Sequence, residues 1–147
     1  MNETTELFCA LVFYDFNIRE LHWKVKGLDF GTKHELMDEY HSKFDSMIDD
    51  LGEILMMTRN VNIPSLSKVI TIIGDSDEEF IPIDGERYYD VATLLTLCEK
   101  MFNHLISIYE SVIQNGNLPG DVVNTLQEHQ YWLRKEAQYK LKSSLTQ

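Results

Sequence analysis

Apolar residues at helical spacing run through four long segments of this sequence, and that pattern constrains the fold more than any other feature. The predicted helices cover about residues 6–26, 32–59, 86–114 and 121–142. Glycine and proline number only 7 and 3 in 147 residues, so the chain favours long regular elements over tight turns. The pattern therefore predicts an all-α protein.

A long connection separates the second and third predicted helices. Residues 60–85 contain Pro64 and Pro82, the acidic run DSDEE, and one short apolar piece, SLSKVITIIG. Four helices with one long crossover, which is expected to contain a short helix, fit a ferritin-like four-helix bundle. A chain of 147 residues can bury one core and is too short for two, so residues 1–147 are predicted to form a single domain.

The charge balance limits the partners that this protein can have. A formal net charge of −11 opposes contact with a phosphate backbone, so direct DNA binding is not expected. No apolar run approaches the roughly 20 residues that span a bilayer, which argues against a membrane location. The opening MNETTELF lacks the basic and apolar regions of a signal peptide, so we expect a cytoplasmic protein.

One face of the second predicted helix carries an unusual set of polar residues. On a helical wheel this stripe contains imidazoles and carboxylates only: His34, Asp38, His41, Asp45, Asp49 and Glu53. A solvated face normally mixes Lys with Glu, and a bound cation would relieve the repulsion between unpaired carboxylates. Imidazole with carboxylate suits iron, manganese or zinc. The HExxH motif of zinc proteases and the Glu-x-x-His pair of di-iron bundles are both absent from the sequence.

Spacing along this helix predicts a site shared by two chains. His34 and Asp49 are fifteen residues apart, which is about 22 Å at a rise of about 1.5 Å per residue. One metal ion cannot contact both within a chain. Two copies of the helix crossing antiparallel about a two-fold axis would bring the His34 and Asp38 end of one to the Asp49 and Glu53 end of the other. His22, just before the short turn, can reach the same point.

These motifs resemble those of a known family. LHWKVKG, TKHELMDEYH and DDLGE, within residues 17–56, are similar to the motifs of the Dps-type miniferritins, the DNA-binding proteins from starved cells. The resemblance implies a ferroxidase centre between subunits and a twelve-subunit shell built from two-fold dimers, which oxidises Fe(II) with hydrogen peroxide or oxygen and stores the ferric product. It assigns His22, His34 and Asp38 of one subunit, with Asp49 and Glu53 of its mate, as the iron ligands and catalytic residues, and it places Trp23 nearby.

Two other functions remain open at this stage. The chain could be a non-catalytic four-helix-bundle interaction protein that has kept the fold without mineralising iron. It could also bind manganese or zinc through the same ligands without turnover. Complete retention of the five ligand positions favours the first interpretation, an iron-oxidising and iron-storing protein that protects against oxidative damage.

Overall fold

The computed structural model describes residues 2–58, 62–83 and 86–145. Two long helices, α1 (Glu3–Lys24) and α2 (Phe30–Thr58), are followed by the short helix α3 (Leu66–Asp75) in the crossover. Helices α4 (Val91–Asn115) and α5 (Gly120–Lys135) complete the bundle. The chain then continues through a π-helical segment (Glu136–Leu141) into the short helix α6 (Lys142–Leu145). The predicted all-α bundle, with a crossover helix between its second and third long helices, is confirmed.

Helix α2 buries the face that its apolar pattern predicts. Its buried side chains recur at helical spacing and are Met37, Tyr40, Phe44, Met47, Leu51, Ile54 and Leu55. Leu36, which we expected on the same face, is only partly buried. The other side of α2 carries the polar stripe, so the helix presents candidate ligands away from the core.

The start of α2 differs from the prediction. Thr32 with Glu35 has the spacing of a capping box, yet the helix begins two residues earlier, at Phe30. Gly27 adopts a positive φ of 111°, and its carbonyl accepts a hydrogen bond from the Phe30 N–H at 3.1 Å. That turn supplies the helix start, so Thr32 lies within the first turn. The predicted helix end at Arg59 falls outside the described residues.

A short backbone pairing also makes the end of α1 and the start of α4 differ from the prediction. Val25 forms an isolated parallel bridge with Tyr89, and the Tyr89 N–H donates to the Lys24 carbonyl at 2.8 Å. Helix α1 therefore ends at Lys24 instead of Lys26, and α4 begins at Val91 instead of residue 86. The Asp90 side chain caps α4 by accepting from the Thr93 N–H at 2.9 Å. Within the described ranges, no helix is both long and apolar enough to cross a bilayer.

Candidate metal centre

Two imidazoles meet where the turn joins α1 to α2. His22 lies in the last turn of α1 and His34 in the first turns of α2, and their ring centroids are 3.8 Å apart. The Nδ1–H of His34 donates to the His22 carbonyl at 2.9 Å. In neutral His34 the proton is therefore on Nδ1, which leaves the Nε2 lone pair available to a metal ion. Phe30 also stacks on the His34 ring, with ring centroids 4.9 Å apart.

His22 has a ring nitrogen without a partner. Its Nδ1 is buried and makes no hydrogen bond within the described part of the chain. Burial lowers the pKa of His22, the nearby His34 lowers it further, and the Asp38 carboxylate opposes the shift. These effects favour the neutral imidazole, which is the form that binds metal. A metal ion at this position would give the unpartnered nitrogen a ligand role.

Asp38 completes this end of the site. It lies one helical turn after His34 on α2, and its side chain is exposed. Its charge raises the pKa of His22, so the carboxylate lies within electrostatic range of that imidazole. We call His22, His34 and Asp38 the imidazole end.

Carboxylates gather further along the same helix. Asp49, Asp50 and Glu53 each offer an oxygen, and these oxygens all lie within 4.8 Å of one another. Asp49 and Glu53 are exposed, whereas Asp50 is partly buried and accepts a hydrogen bond from His129 Nε2 at 2.8 Å. We call Asp49 and Glu53 the acidic end. The sequence prediction missed the contribution of Asp50.

The two ends are held apart by a continuous helix. Residues from His34 to Glu53 all lie within α2, which runs unbroken from Phe30 to Thr58. At about 1.5 Å per residue, the fifteen positions from His34 to Asp49 separate their backbones by about 22 Å. The structure therefore brings together the residues within each end, but it does not bring the two ends together in one chain.

Exposed apolar side chains border both ends. Near the imidazole end, Trp23 is 59% exposed and packs edge-on against the exposed Phe16, with ring centroids 6.4 Å apart. A cavity of about 610 Å³ beside Asp49 and Glu53 is lined mainly by apolar residues: Phe8, Ile48, Gly52, Met56, Met57 and Ile63. Within this lining Met57 is 65% exposed. Contiguous exposed apolar surface at a polar site is typical of an interface with another chain.

The middle of the polar stripe has a structural role that the helical wheel cannot predict. His41 donates from Nδ1 to Asp15, and its Nε2 accepts from the Arg19 guanidinium at 2.7 Å. Arg19, which comes from α1, therefore brings a cation to His41 in the middle of the stripe, and a wheel of one helix does not show this contact. Both ring nitrogens of His41 are engaged within the chain, so His41 is not free to bind a metal ion.

Comparison with known proteins supports both the fold and the motifs. No family model matches the chain. A curated relative, the DNA protection during starvation protein of Helicobacter pylori, is 30% identical over 69 residues, which cover 47% of each chain. The alignment thus spans about half the length of that relative.

Solved structures match over nearly the whole chain. Antigen TpF1 from Treponema pallidum superposes with a TM-score of 0.86 at 18% identity, covering 99% of this chain and 90% of that protein. Dps from Staphylococcus aureus gives a TM-score of 0.82 at 18% identity, covering 99% and 93%. The fold is therefore that of the ferritin-like four-helix bundles. Within that class the predicted resemblance to the Dps-type miniferritins is confirmed, in sequence over part of the chain and in fold over almost all of it.

Proposed function

We propose that this protein is a miniferritin that oxidises Fe(II) at sites between two subunits and stores the ferric product. The main support is that one continuous helix separates two imidazoles from two carboxylates, while exposed apolar surface borders each set. An antiparallel two-fold pairing of α2 would join the imidazole end of one chain to the acidic end of the other. Each dimer would then contain two identical sites.

The ligand types suit iron as the substrate. Carboxylates are hard oxygen donors and favour Fe(III) over Fe(II), whereas neutral imidazoles add affinity without adding charge. His22, His34 and Asp38 of one chain, with Asp49 and Glu53 of the other, would hold iron and leave positions open to an oxidant. Hydrogen peroxide is the oxidant that we propose, with oxygen as the alternative. The dimers would assemble into a shell of twelve subunits that retains the mineral.

The acidic surface bears on how such a protein would protect DNA. The curated relative is named for DNA protection, yet a net charge of −11 opposes direct contact with phosphates. Protection in this proposal comes from removing Fe(II) and peroxide together, since these two reactants generate hydroxyl radicals. A cytoplasmic location is part of the same proposal.

Complementation between two inactive variants tests the shared site. His34→Ala removes an imidazole and Asp49→Ala removes a carboxylate, so each variant alone should lose peroxide-dependent Fe(II) oxidation. In a mixed dimer, one of the two sites takes His34 from the Asp49→Ala chain and Asp49 from the His34→Ala chain, and is intact. Random mixing makes half of the dimers mixed, so co-expression should restore about a quarter of the parental rate.

A matched pair of variants provides the control. His22→Ala and His34→Ala alter the same end of the site, so co-expression of these two leaves every site defective and should restore nothing. Absence of recovery with His34→Ala and Asp49→Ala would contradict the shared site. A parent protein that binds Mn(II) or Zn(II) but oxidises no Fe(II) above the buffer rate would instead indicate metal binding without turnover. A parent that does neither would indicate a non-catalytic interaction protein.

A further inference from the structure

A chain of hydrogen bonds leads from the acidic carboxylates into the bundle core. The Tyr109 hydroxyl on α4 donates to Nδ1 of His129 on α5 at 2.8 Å. The Nε2–H of His129 donates to Asp50 on α2 at 2.8 Å. Tyr109 is 0% exposed and His129 is 4% exposed. We call these three residues the Tyr109 relay.

The outer member of the relay lies at the acidic end of the proposed iron site. An oxygen of Asp50 is within 4.8 Å of oxygens of both Asp49 and Glu53. Only the Asp50 carboxylate, one imidazole ring and two hydrogen bonds therefore separate the Tyr109 hydroxyl from the ligand carboxylates. The relay thus joins the proposed site to a phenol that solvent does not reach.

The order carboxylate, imidazole and hydroxyl indicates what the relay can do. In hydrolases the same order activates a hydroxyl nucleophile, because the imidazole takes its proton while the carboxylate holds the ring and stabilises its charge. A nucleophile must touch its substrate, and Tyr109 has no exposed surface. An electron can leave a buried phenol without such contact, provided that the phenol proton has an acceptor nearby.

We propose that Tyr109 is a one-electron donor to the iron site and that His129 accepts its phenol proton. This inference rests on the proposed function, which supplies the oxidant. Asp50 holds the tautomer of His129 in which Nδ1 is free to accept that proton. Burial raises the pKa of the Tyr109 phenol well above its usual value, so the proton stays on the oxygen until the electron leaves.

The chemistry balances for a site that holds a single ferrous ion. Hydrogen peroxide needs two electrons and two protons to become two water molecules, and two Fe(II) ions supply both electrons. With one Fe(II), the products are Fe(III), hydroxide and a hydroxyl radical. Tyr109 then gives the missing electron, which reduces that radical to hydroxide. Its O–H bond breaks, the proton moves to His129 Nδ1, and a neutral tyrosyl radical remains.

Two other buried tyrosines, Tyr14 and Tyr40, have different partners, which makes them controls. Tyr14 donates to His104 at 2.7 Å, and His104 in turn donates to Glu78 in the crossover, which the proposed iron site does not include. Tyr40 donates to the buried Glu136 at 3.1 Å. The Tyr109 relay is the one of these three arrangements that ends beside Asp49 and Glu53.

Freeze-quench electron paramagnetic resonance tests the relay in the assembled protein. The protein is labelled with ring-deuterated tyrosine, loaded with fewer Fe(II) ions than sites, and mixed with hydrogen peroxide. We expect a tyrosyl signal that deuteration narrows, that Tyr109→Phe abolishes, and that Tyr14→Phe, Tyr40→Phe and Trp23→Phe retain. His129→Gln keeps a hydrogen-bonding group but cannot take the proton, so it should also lose the signal.

Iron oxidation measured on the same samples separates this inference from the proposed function. If the parent oxidises Fe(II) with peroxide but Tyr109→Phe gives an unchanged tyrosyl signal, or if the radical is on Trp23, the inference is wrong and the function stands. If the parent oxidises no iron, both are wrong. Should Tyr109→Phe fail to assemble, an undiminished signal in assembled His129→Gln contradicts the inference.

Discussion

At the scale of single residues, protonation of the buried His129 imidazole should change the free energy of unfolding. Burial lowers its pKa below the value of 6.5 for an exposed histidine, and the hydrogen bond to Asp50 opposes this shift. The unfolded chain therefore binds a proton at this position more readily than the folded chain does. Between pH 6.5 and the lower pKa of the folded state, the contribution of His129 to the free energy of unfolding decreases as the pH falls.

Replacing His129 should remove this pH dependence. We expect the free energy of unfolding of His129→Gln to fall less between pH 7 and pH 5 than that of the parent. The glutamine has no proton to bind, although it costs some stability at both pH values through altered hydrogen bonds. Urea titrations of both proteins at the two pH values measure the difference. His104→Gln, whose imidazole also bonds to a tyrosine and a carboxylate, is the matched comparison. Equal pH dependence in parent and His129→Gln would contradict the expectation.

The residues of the candidate site were predictable to different degrees. His22, His34, Asp38, Asp49 and Glu53 stand in local motifs, and the resemblance to the Dps-type miniferritins singled them out from a stripe that also contains His41 and Asp45. Their role as ligands stays a prediction. Other contacts join positions far apart in the sequence. His129 bonds to a residue 79 positions away, and Arg19 bonds to His41 from a different helix. A helical wheel describes one helix at a time and contains no such partners.

At the scale of elements, the π-helical segment after α5 begins at a buried carboxylate. Glu136 begins this segment with its side chain buried, and its carboxylate accepts from the Tyr40 hydroxyl at 3.1 Å and from Lys140 at 3.2 Å. A buried carboxylate needs such partners, and π-helical turns are found where an α-helix accommodates a local demand. The sequence prediction of a regular helix to Lys142 did not include this interruption, and the apolar pattern of one helix contains no sign of the contact between Glu136 and Tyr40.

Removing the Glu136 carboxylate should destabilise the bundle. Glu136→Ala leaves the buried Tyr40 hydroxyl without an acceptor, which costs about 1–3 kcal/mol. Tyr40→Phe together with Glu136→Ala removes both partners, so the loss in the double variant should be smaller than the sum of the two single losses. Guanidinium denaturation of the four proteins measures the coupling. Glu39→Ala, at an exposed position of α2, is the control and should change stability little. Additive losses would show that the two side chains do not interact.

Helix boundaries were less predictable than helix identity. The apolar periodicity was sufficient for four long helices and the crossover helix, because burial of one face determines that pattern. The ends of α1 and α4 depend on the pairing of Val25 with Tyr89, two residues 64 positions apart. Long-range backbone pairing of this kind leaves no periodic signal. The start of α2 depends on the turn at Gly27, which competes with the capping box at Thr32.

At the scale of the whole molecule, the apolar borders of the two site halves require a partner in our proposal. Trp23 and Phe16 flank the imidazole end, and Met57 with Met56 lines the cavity beside the acidic end. Burial of this surface would contribute roughly 25 cal/mol for each Å² removed from water. The same contact that completes the ligand set would therefore also stabilise the dimer.

A charged side chain in the apolar surface beside the acidic end should prevent assembly. Met57→Lys would put a charged ammonium group into the apolar part of the proposed contact, and burial of a charge there is unfavourable even with Glu53 one turn earlier on the same helix. We expect a lower mass by light scattering and a parallel loss of peroxide-dependent Fe(II) oxidation, with helix content unchanged by circular dichroism. Met57→Leu keeps an apolar side chain of similar volume and should behave as the parent does. A fully assembled Met57→Lys protein would place the subunit contact elsewhere.

The unbroken length of α2 has a consequence for newly made protein under this proposal. A chain leaving the ribosome has either half of the ligand set within reach of an iron ion but never both. It therefore cannot oxidise iron before it pairs with a second chain. Specific activity would fall on dilution, since free chains are inert, and a cell would gain iron-oxidising capacity only as chains pair into dimers.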